Sequence, residues 1–354
     1  MSDEGEGSAL FSDRHPGNRT SRGVDRVALN QYAFIVHTIP VGVLGASGYA
    51  GRELCALVNA HPQLHLAFAT ANAQRGEHAR LGGRDVRFVA TEDAALASAE
   101  LVFSSLPHGA SADWVQRVRS AGIRAIDLSS DLRPGHTNEP IPYGLTEVAR
   151  HTLKDAEVIA NPGCYPTAIL LSLVPLLARG LVRRGSAIVV DAASGVTGAG
   201  NSPKPELLFG EVTENFRAYG VGNEHRHLPE MRAMVSGYGA DADLSFTPHL
   251  LPVARGILAT TTVQLEHDIE APLALWHEHF HGEPFIEVTE QLPALRDVVH
   301  RNVVRITVRE AKGMRVPTLV ILSAIDNLVK GAAGQALQNA NVALGIDERA
   351  GLPL

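Results

Sequence analysis

One cysteine in the sequence has neighbours that could make it a nucleophile. Cys164 stands in the run NPGCYPTA at residues 161–168, after a predicted strand and before a helix predicted over 167–178. Pro166 suits the first turn of a helix, where no backbone N–H is needed. A thiol at a helix N-terminus meets the positive end of the helix dipole and free N–H groups, which favour the thiolate. The spacing therefore predicts that Cys164 is catalytic.

The other cysteine has different surroundings. Cys55 lies among Leu54, Leu57 and Val58 in a predicted helix, which indicates a packed side chain. Two cysteines in 354 residues do not make a disulfide framework. The sequence therefore favours a reducing compartment, and we expect a cytoplasmic protein.

A cysteine nucleophile needs a proton carrier, and histidine has a suitable pKa. Among 16 histidines, His225 and His227 stand in the dense polar run GNEHRHLPE at residues 222–230. If this segment is extended, the two imidazoles face opposite sides, so that one reaches Cys164 while the other binds substrate or supports the structure. His225 is the preferred catalytic residue and His227 is the alternative.

A glycine-rich turn predicts a dinucleotide site. The run GASGYAG follows a predicted strand over 39–44 and precedes an amphipathic helix. Glycines between a strand and a helix let the backbone approach a phosphate and point the helix N-terminus at it. The spacing is GxxGxxG rather than GxGxxG, and a plain tight turn is the alternative. The predicted cofactor contacts of this turn are Gly45, Ala46, Ser47, Gly48, Tyr49, Ala50 and Gly51.

The next predicted strand, over 64–70, indicates which dinucleotide binds. An NAD site usually has an acidic residue there for the ribose 2′-hydroxyl. Here the strand runs into ATAN, with Arg75 just beyond. A guanidinium can bind a 2′-phosphate bidentately, so NADP is favoured over NAD. The alternative is that Arg75 is a solvated loop charge.

Further polar residues predict anion binding. Ser130 and Arg133 follow a predicted strand, and the loop SGVTGAG at residues 194–200 supplies hydroxyls and flexible N–H groups beside Lys204. Such a loop can hold a phosphate or a carboxylate, although an ordinary loop is the alternative. We expect Ser194 and Gly195 to contact the cofactor. The predicted substrate contacts are Ser130, Arg133, Asn161, Thr197, Lys204 and Glu230.

Alternating strands and helices must position these residues. Strands are predicted over 39–44, 64–70, 101–105, 124–127, 157–159 and 187–190, with helices between several of them. This α/β alternation predicts a parallel, doubly wound sheet. Longer strands are predicted over 242–247, 256–265, 285–288, 303–309 and 317–325. They predict a second, mixed sheet, and residues 331–344 are helical in composition.

Composition argues against several other classes of protein. A net charge of −7 argues against a nucleic-acid-binding surface. The sequence contains no apolar run of about 18 residues, so a transmembrane helix is not expected. The histidines lack the spacing of a metal site such as HExxH, so no metal is expected. Residues 1–37 are polar and without hydrophobic period, which predicts a disordered N-terminal extension. Their acidic start is unlike a signal peptide.

Several motifs in one order resemble the N-acetyl-gamma-glutamyl-phosphate reductase family of arginine biosynthesis. They are GASGYAG at 45–51, DLSSDLR at 127–133, NPGCYPT at 161–167, SGVTGAG at 194–200, HRH at 225–227, FTPH at 246–249 and SAIDNLVKG at 323–331. The resemblance covers about residues 40–345. Two departures leave the fine substrate preference open: HRN at 300–302, where Gly-Ser-Asn is more usual, and Leu228, where Thr is more usual.

The resemblance implies a Rossmann-type NADP-binding domain over 38–163 and 327–354, to which the C-terminal helix returns with Asn327 beside the cofactor. It implies an α+β catalytic and oligomerisation domain with a mixed sheet over 164–326, in a homo-oligomer that is a dimer or a tetramer. The implied reaction is the third step of arginine biosynthesis. NADPH reduces N-acetyl-L-glutamyl 5-phosphate to N-acetyl-L-glutamate 5-semialdehyde and phosphate through a thioester on Cys164.

Other substrates and one other class of protein are alternatives. The same chemistry could act on the carrier-bound aminoadipyl phosphate of lysine biosynthesis. Aspartyl phosphate is a further candidate, although aspartate-semialdehyde dehydrogenases differ around the cysteine. A dinucleotide-sensing protein without catalysis would usually have lost the nucleophile or the histidine pair, and both are present here.

Overall fold

The computed structural model describes residues 38–354, and the predicted disorder of residues 1–37 lies outside them. The strands are β1 (Ile39–Leu44), β2 (Leu64–Ala69), β3 (His78–Leu81), β4 (Arg84–Arg87), β5 (Leu101–Ser104), β6 (Arg124–Asp127), β7 (Val158–Ala160), β8 (Ser186–Gly195), β9 (Arg217–Ala218), β10 (Ala242–Leu251), β11 (Ile257–Gln264), β12 (Ile286–Val288), β13 (Val304–Glu310) and β14 (Thr318–Ile325). The α-helices are α1 (Tyr49–Ala60), α2 (Ser111–Ser120), α3 (Thr146–Leu153), α4 (Cys164–Leu177), α5 (Phe209–Val212), α6 (Leu228–Gly237), α7 (Pro272–His279) and α8 (Gly334–Ala343). A π-helical turn, Val329–Ala333, leads into α8.

Five parallel strands form the first sheet in the order β2-β1-β5-β6-β7, which confirms the predicted parallel sheet. The chain leaves β1 for β2 on one side and later returns to β5 on the other. In such sheets, ligands bind beyond the carboxyl ends of the two strands at which the order reverses. Those ends are Leu44 in β1 and Ser104 in β5. The C-terminal α8 packs into the same core through Ala336, Leu337 and Ala340.

Seven strands form the second sheet, which is mixed as predicted, in the order β12-β13-β14-β11-β8-β10-β9. Helix α4 is apolar around its whole circumference and is buried along almost its whole length, which is typical of a central helix. It packs against β11 and β14 of this sheet. Along β8, Ile188 and Val190 point into the core that α4 shares, whereas Ala187 and Val189 are exposed on the opposite face. One face of the second sheet is therefore open.

Some elements differ from the sequence predictions. Helix α4 begins at Cys164 rather than at residue 167, so the thiol belongs to its first turn. Strands β8 and β10 have ten residues each and exceed their predicted lengths, whereas β12 has only three. The hairpin β3–β4 was not predicted, although Gly82-Gly83, both with positive φ, are the pair that a tight hairpin turn favours. Within residues 38–354, no helix is long and apolar enough to cross a membrane.

Candidate active site

Cys164 lies at the junction of two cavities. It is the first residue of α4, and the loop NPG connects it to the end of β7. Its side chain is partly exposed and lines both cavities. Cys55, in contrast, is fully buried in α1, where burial raises the pKa of its thiol to about 12. Cys55 is therefore the packed cysteine, as the sequence predicts.

A buried polar network holds the loop in front of Cys164. Glu230 Oε1 accepts hydrogen bonds from the Gly163 N–H at 2.9 Å and from the Tyr143 hydroxyl at 2.6 Å. Arg133 Nη1 lies 3.2 Å from Glu230 Oε2, and Arg133 Nε donates to the Asn161 carbonyl at 2.8 Å. Both oxygens of Glu230 are thus occupied and its side chain is fully buried. In this position Glu230 supports the loop, which differs from the substrate contact predicted for it.

Burial favours the protonated form of the Cys164 thiol. Burial raises the pKa of this thiol, and the positive charges of Arg226 and Arg133 and the N–H of Tyr165 lower it by less. The sequence prediction that the helix N-terminus favours a thiolate describes one of these lowering effects. The net shift has the opposite sign because removing the sulfur from water disfavours its charged form. Cys164 therefore requires a base to become nucleophilic.

Two neutral imidazoles lie beside this thiol. The segment that carries them is a turn rather than an extended strand, so the predicted separation of His225 and His227 is wrong. Their ring centroids are 4.9 Å apart, and both rings line the smaller cavity with Cys164. Burial, with help from Arg226, lowers the pKa of His225 to about 4. Burial lowers the pKa of His227 well below its usual value, with further lowering from Arg133.

The two histidines differ in exposure and in free ring nitrogens. His225 is half-buried, and its Nδ1 accepts the backbone N–H of His227 at 3.2 Å, which leaves Nε2 without a partner in the described chain. His227 is buried, and a Cβ at position 163 would lie only 2.6 Å from its Nε2. Gly163 is therefore required by close packing against His227. His225 has the better access to a ligand in the cavity.

The larger cavity is a cleft of about 680 Å³ beyond the ends of β1 and β5. Gly45 has a φ of +73°, and a Cβ there would lie 2.5 Å from the Ser105 carbonyl oxygen. A Cβ at Gly51 would lie 2.4 Å from the Gly45 carbonyl oxygen. These contacts explain two of the glycines by packing, whereas a Cβ at Gly48, just before α1, would make only an ordinary contact 3.7 Å from the Gly45 carbonyl oxygen. The turn thus fits a bound pyrophosphate at a helix N-terminus.

Most residues of the predicted cofactor turn line this cleft. They are Gly45, Ser47, Gly48, Tyr49 and Ala50. Ala46 and Gly51 are buried behind the turn. Beyond β2, Asn72 lines the cleft, while Arg75 is exposed and donates to the Asn72 carbonyl at 3.1 Å. The end of β2 carries no carboxylate, in keeping with the sequence prediction for this strand.

The loop after β8 separates the cleft from the smaller cavity. Ser194 and Gly195 line the smaller cavity, and Thr197 lines the cleft. The Asn327 amide donates to the Thr197 hydroxyl at 2.9 Å and accepts the Gly256 N–H at 2.8 Å. Asn327 therefore holds this loop and also lines the cleft. Its place beside the cofactor stays a prediction.

The predicted substrate residues fall into separate places. Arg133 and Asn161 are buried at the edge of the cleft, and Lys204 is exposed on the smaller cavity. Ser130 is buried, and its N–H and hydroxyl contact His108 Nδ1 at 2.9 and 3.0 Å. Ser130 thus orients His108, which lines the cleft. No motif in the sequence predicted a role for His108.

Other lining residues were also missed. The smaller cavity, of about 230 Å³, contains the side chains of Arg217, Tyr165, Tyr219 and Arg226. The Tyr165 and Tyr219 hydroxyl oxygens are 3.1 Å apart, and burial raises the pKa of Tyr219 to about 12. Arg226 stands between the two predicted histidines, so its position in the motif was a usable signal. Nothing in the sequence brings Arg217 to Cys164, because only the pairing of β9 with β10 places it there.

Comparisons with known proteins agree with this geometry. A family profile described as "Semialdehyde dehydrogenase, NAD binding domain" matches residues 40–156. Another, described as "Semialdehyde dehydrogenase, dimerisation domain", matches residues 164–327. The N-acetyl-gamma-glutamyl-phosphate reductase of Marinobacter nauticus is 37% identical over 89% of this chain and 98% of its own. The enzyme of that name from Symbiobacterium thermophilum is 40% identical over 89% and 97%.

Solved structures share the fold at lower identity. Aspartate semialdehyde dehydrogenase II from Vibrio cholerae, complexed with ASA, has a TM-score of 0.72 and 20% identity, over 87% of this chain and 99% of that one. Aspartate semialdehyde dehydrogenase with NADP from Candida albicans has a TM-score of 0.65 and 16% identity, over 86% and 98%. These likenesses establish the two-sheet architecture.

Proposed function

The chain belongs to the N-acetyl-gamma-glutamyl-phosphate reductase family, and we propose that it carries out the reaction for which that family is named. It reduces N-acetyl-L-glutamyl 5-phosphate to N-acetyl-L-glutamate 5-semialdehyde and phosphate, with NADPH as the reductant, in arginine biosynthesis. One observation carries the proposal: Cys164 lines both the glycine-turn cleft and a separate small cavity that also contains His225 and His227. A dinucleotide and an acyl chain can thus approach the same sulfur from different sides.

The covalent step uses the cysteine and one histidine. The Cys164 sulfur attacks the acyl carbon, the carbon–sulfur bond forms, and the bond to phosphate breaks. The thiol proton passes to His225, which is neutral because burial and Arg226 hold its pKa at about 4. Binding of the anionic substrate beside Arg226 offsets that positive charge, so the basicity of His225 rises when the base is needed. The product of this step is a thioester and free phosphate.

NADPH, when bound, supplies the hydride that reduces the acyl carbon. The chain then releases the aldehyde as the carbon–sulfur bond breaks, and His225 returns its proton to the departing sulfur. His227 is the alternative proton carrier, and the close packing of its imidazole against Gly163 favours a role in placing the loop before Cys164. The backbone N–H groups at the start of α4 would stabilise the carbonyl oxygen that becomes negative during attack.

The glycine turn and the loop after β8 fit an NADP molecule. Gly45, Ser47 and Gly48, which line the cleft, are the proposed contacts of its pyrophosphate, and Asn327 with Thr197 shapes the cleft near Cys164. Arg75 is the proposed partner of the 2′-phosphate, since it is exposed just beyond Asn72. If so, Arg75→Ala raises the KM for NADPH roughly tenfold or more and leaves the KM for NADH within about twofold.

The assembly is proposed to be a homo-oligomer, a dimer or a tetramer. The open face of the second sheet carries the exposed Ala187 and Val189 of β8, and the partly exposed Thr262 of β11 pairs with Val189. An exposed sheet face that carries Val189 among polar side chains is the proposed surface for a second copy. The two domains proposed are 38–163 with 327–354 for the cofactor and 164–326 for catalysis and assembly. The cytoplasm is the proposed compartment, since both cysteines are free thiols.

The aminoadipyl alternative of lysine biosynthesis is not favoured. The curated relatives compared above are named for the acetylglutamyl substrate and span nearly the whole chain. The proposed substrate can be tested in the reverse direction, in which N-acetylglutamate 5-semialdehyde and phosphate should reduce NADP to NADPH.

The decisive experiment separates the two cysteines. Cys164→Ala is expected to abolish the phosphate-dependent reduction of NADP, while Cys55→Ala, the matched control, retains it. Incubation with the acyl phosphate in the absence of NADPH should add one acyl group to the wild-type protein in intact-mass measurements, and none to Cys164→Ala. Turnover by Cys164→Ala, or acylation at another residue, would refute the thioester route.

A further inference from the structure

The smaller cavity contains more positive charge than the reaction at sulfur requires. Lys204, Arg217 and Arg226 line it, against one carboxylate, Glu206. Within residues 38–354, none of these three cations has a carboxylate within salt-bridge distance. Arginine and lysine side chains that converge on a cavity without a protein anion to pair with indicate an anionic ligand. The excess of cations fits a ligand with two separate negative groups.

The two arginines have different relations to the sulfur. Arg226 lines both the smaller cavity and the cofactor cleft, and its charge is the largest influence that lowers the pKa of Cys164. Arg217 lines only the smaller cavity. Arg133, the other cation that acts on the sulfur, is already bound to Glu230. Arg226 is therefore the arginine that is both near the sulfur and uncommitted.

Backbone pairing fixes the position of Arg217. It belongs to the two-residue strand β9, directly opposite Leu250 of β10, and both side chains line the cavity. Its Nη2 donates to the Glu206 carbonyl at 3.1 Å, which orients the guanidinium and leaves other N–H groups for a ligand. Lys204 lies on the same cavity, two residues before Glu206. A carboxylate facing Arg217 would thus contact an oriented guanidinium and lie near the Lys204 ammonium.

We propose that Arg217, assisted by Lys204, binds the α-carboxylate of the substrate, and that Arg226 binds the phosphate that leaves the acyl carbon when the Cys164 sulfur attacks it. This assignment rests on the proposed function, whose substrate carries these two anions at opposite ends of its carbon chain. Arg217 thereby determines specificity: it selects acyl groups that carry a carboxylate far from the reacting carbon. Arg226 acts on any acyl phosphate.

A comparison of two aldehydes in the reverse reaction tests the assignment. N-acetylglutamate 5-semialdehyde carries the α-carboxylate, and 4-acetamidobutanal has hydrogen in its place. Arg217→Met is expected to lower kcat/KM for the first aldehyde roughly 100-fold and to change that for the second by less than about twofold. Arg217→Lys keeps the charge but loses the bidentate guanidinium, so its kcat/KM for the first aldehyde should lie between those of the wild type and Arg217→Met. The KM for phosphate should not change in either variant.

Arg226→Met is expected to give the opposite pattern. It should raise the KM for phosphate roughly tenfold or more and lower kcat/KM for both aldehydes by equal factors. Arg232→Met, which removes an exposed cation from the neighbouring α6, is the matched control and should change neither quantity. Equal losses on both aldehydes in Arg217→Met, or an unchanged phosphate KM in Arg226→Met, would overturn the assignment.

A binding measurement separates this inference from the reaction itself. N-acetylglutamate should protect Cys164 from iodoacetamide, whereas 4-acetamidobutyrate should protect it much less. Arg217→Met should remove this difference. If the wild type shows the difference but no turnover, the carboxylate site stands and the proposed reaction fails. If turnover occurs and Arg217→Met leaves the difference intact, the reaction stands and the carboxylate site fails.

Discussion

The two sides of Cys164 are built on opposite principles. On one side, Arg133 and Glu230 are buried, and each is paired with its partner and with backbone groups of the loop. On the other side, Lys204, Arg217 and Arg226 line a cavity without salt bridges in the described chain. A paired buried group fixes geometry, and an unpaired cation on a cavity is available to a ligand. The first side places the nucleophile, and the second receives what it attacks.

The largest expected effect comes from breaking the paired side. Glu230→Leu leaves the Arg133 guanidinium buried without its counter-charge and removes the acceptor of the Gly163 N–H. We expect a loss of about 5 kcal/mol in the free energy of unfolding, measured in urea. Glu224→Gln, an exposed carboxylate in the neighbouring turn, should change this free energy by under about 0.5 kcal/mol. Equal losses in the two variants would show that burial and pairing do not distinguish these carboxylates.

A second buried ion pair lies next to a residue that packs on Cys164. Lys330 Nζ lies 2.5 Å from Glu147 Oε1, and both side chains are fully buried. The adjacent Gly331 packs on the nucleophile so closely that a Cβ there would lie 2.8 Å from the Cys164 Cβ. Lys330→Met should cost about 3 kcal/mol, less than the first change, because Glu147 keeps its hydrogen bond from Gln338.

The double variant Lys330→Met/Glu147→Leu sharpens this second test. It removes both charges, so the double variant should regain most of the free energy of unfolding that Lys330→Met loses, as measured in urea. If the double variant is less stable than Lys330→Met, the pair stabilises the fold through more than mutual neutralisation. That outcome would contradict our account of this site.

The pH dependence of alkylation tests the junction between the two sides. Because burial raises the pKa of the Cys164 thiol, its reaction rate with iodoacetamide should keep rising above pH 9 in the ligand-free protein. Arg226 lowers this pKa, so Arg226→Met should move the rise to higher pH. Cys55, with a thiol pKa of about 12 and no exposure, should stay unmodified throughout. A rate that reaches its plateau below pH 8 would mean that the resting residue is a thiolate.

The smallest effect on stability is expected on the open side. Lys204 is exposed and has no salt bridge in the described chain, so Lys204→Met should change the free energy of unfolding by under about 0.5 kcal/mol. Its effect should instead be on binding, as a several-fold higher KM for the carboxylated aldehyde. A loss of stability as large as that of Lys330→Met would erase the contrast between the two sides.

Local sequence signals predicted much of the first sheet. The glycine turn after β1 and the alternation of short apolar strands with helices depend on neighbouring residues alone, so they could be read directly. The hairpin β3–β4 was missed although its Gly82-Gly83 turn was visible, because its strands are mostly exposed and lack an apolar run. The turn that carries His225 was wrongly taken as extended, since a polar run has no hydrophobic period to indicate its conformation.

The sequence by itself determined which residue types were present for chemistry: a cysteine before a helix, a histidine pair, and a glycine turn free of a following carboxylate. Only the tertiary structure decided their states. Burial raises the pKa of the Cys164 thiol and lowers that of His225, and both shifts depend on segments far apart in the chain. Likewise, β9 brings Arg217 to the cavity through pairing with β10. Desolvation and long-range contacts are properties of the packed molecule, so a linear pattern does not contain them.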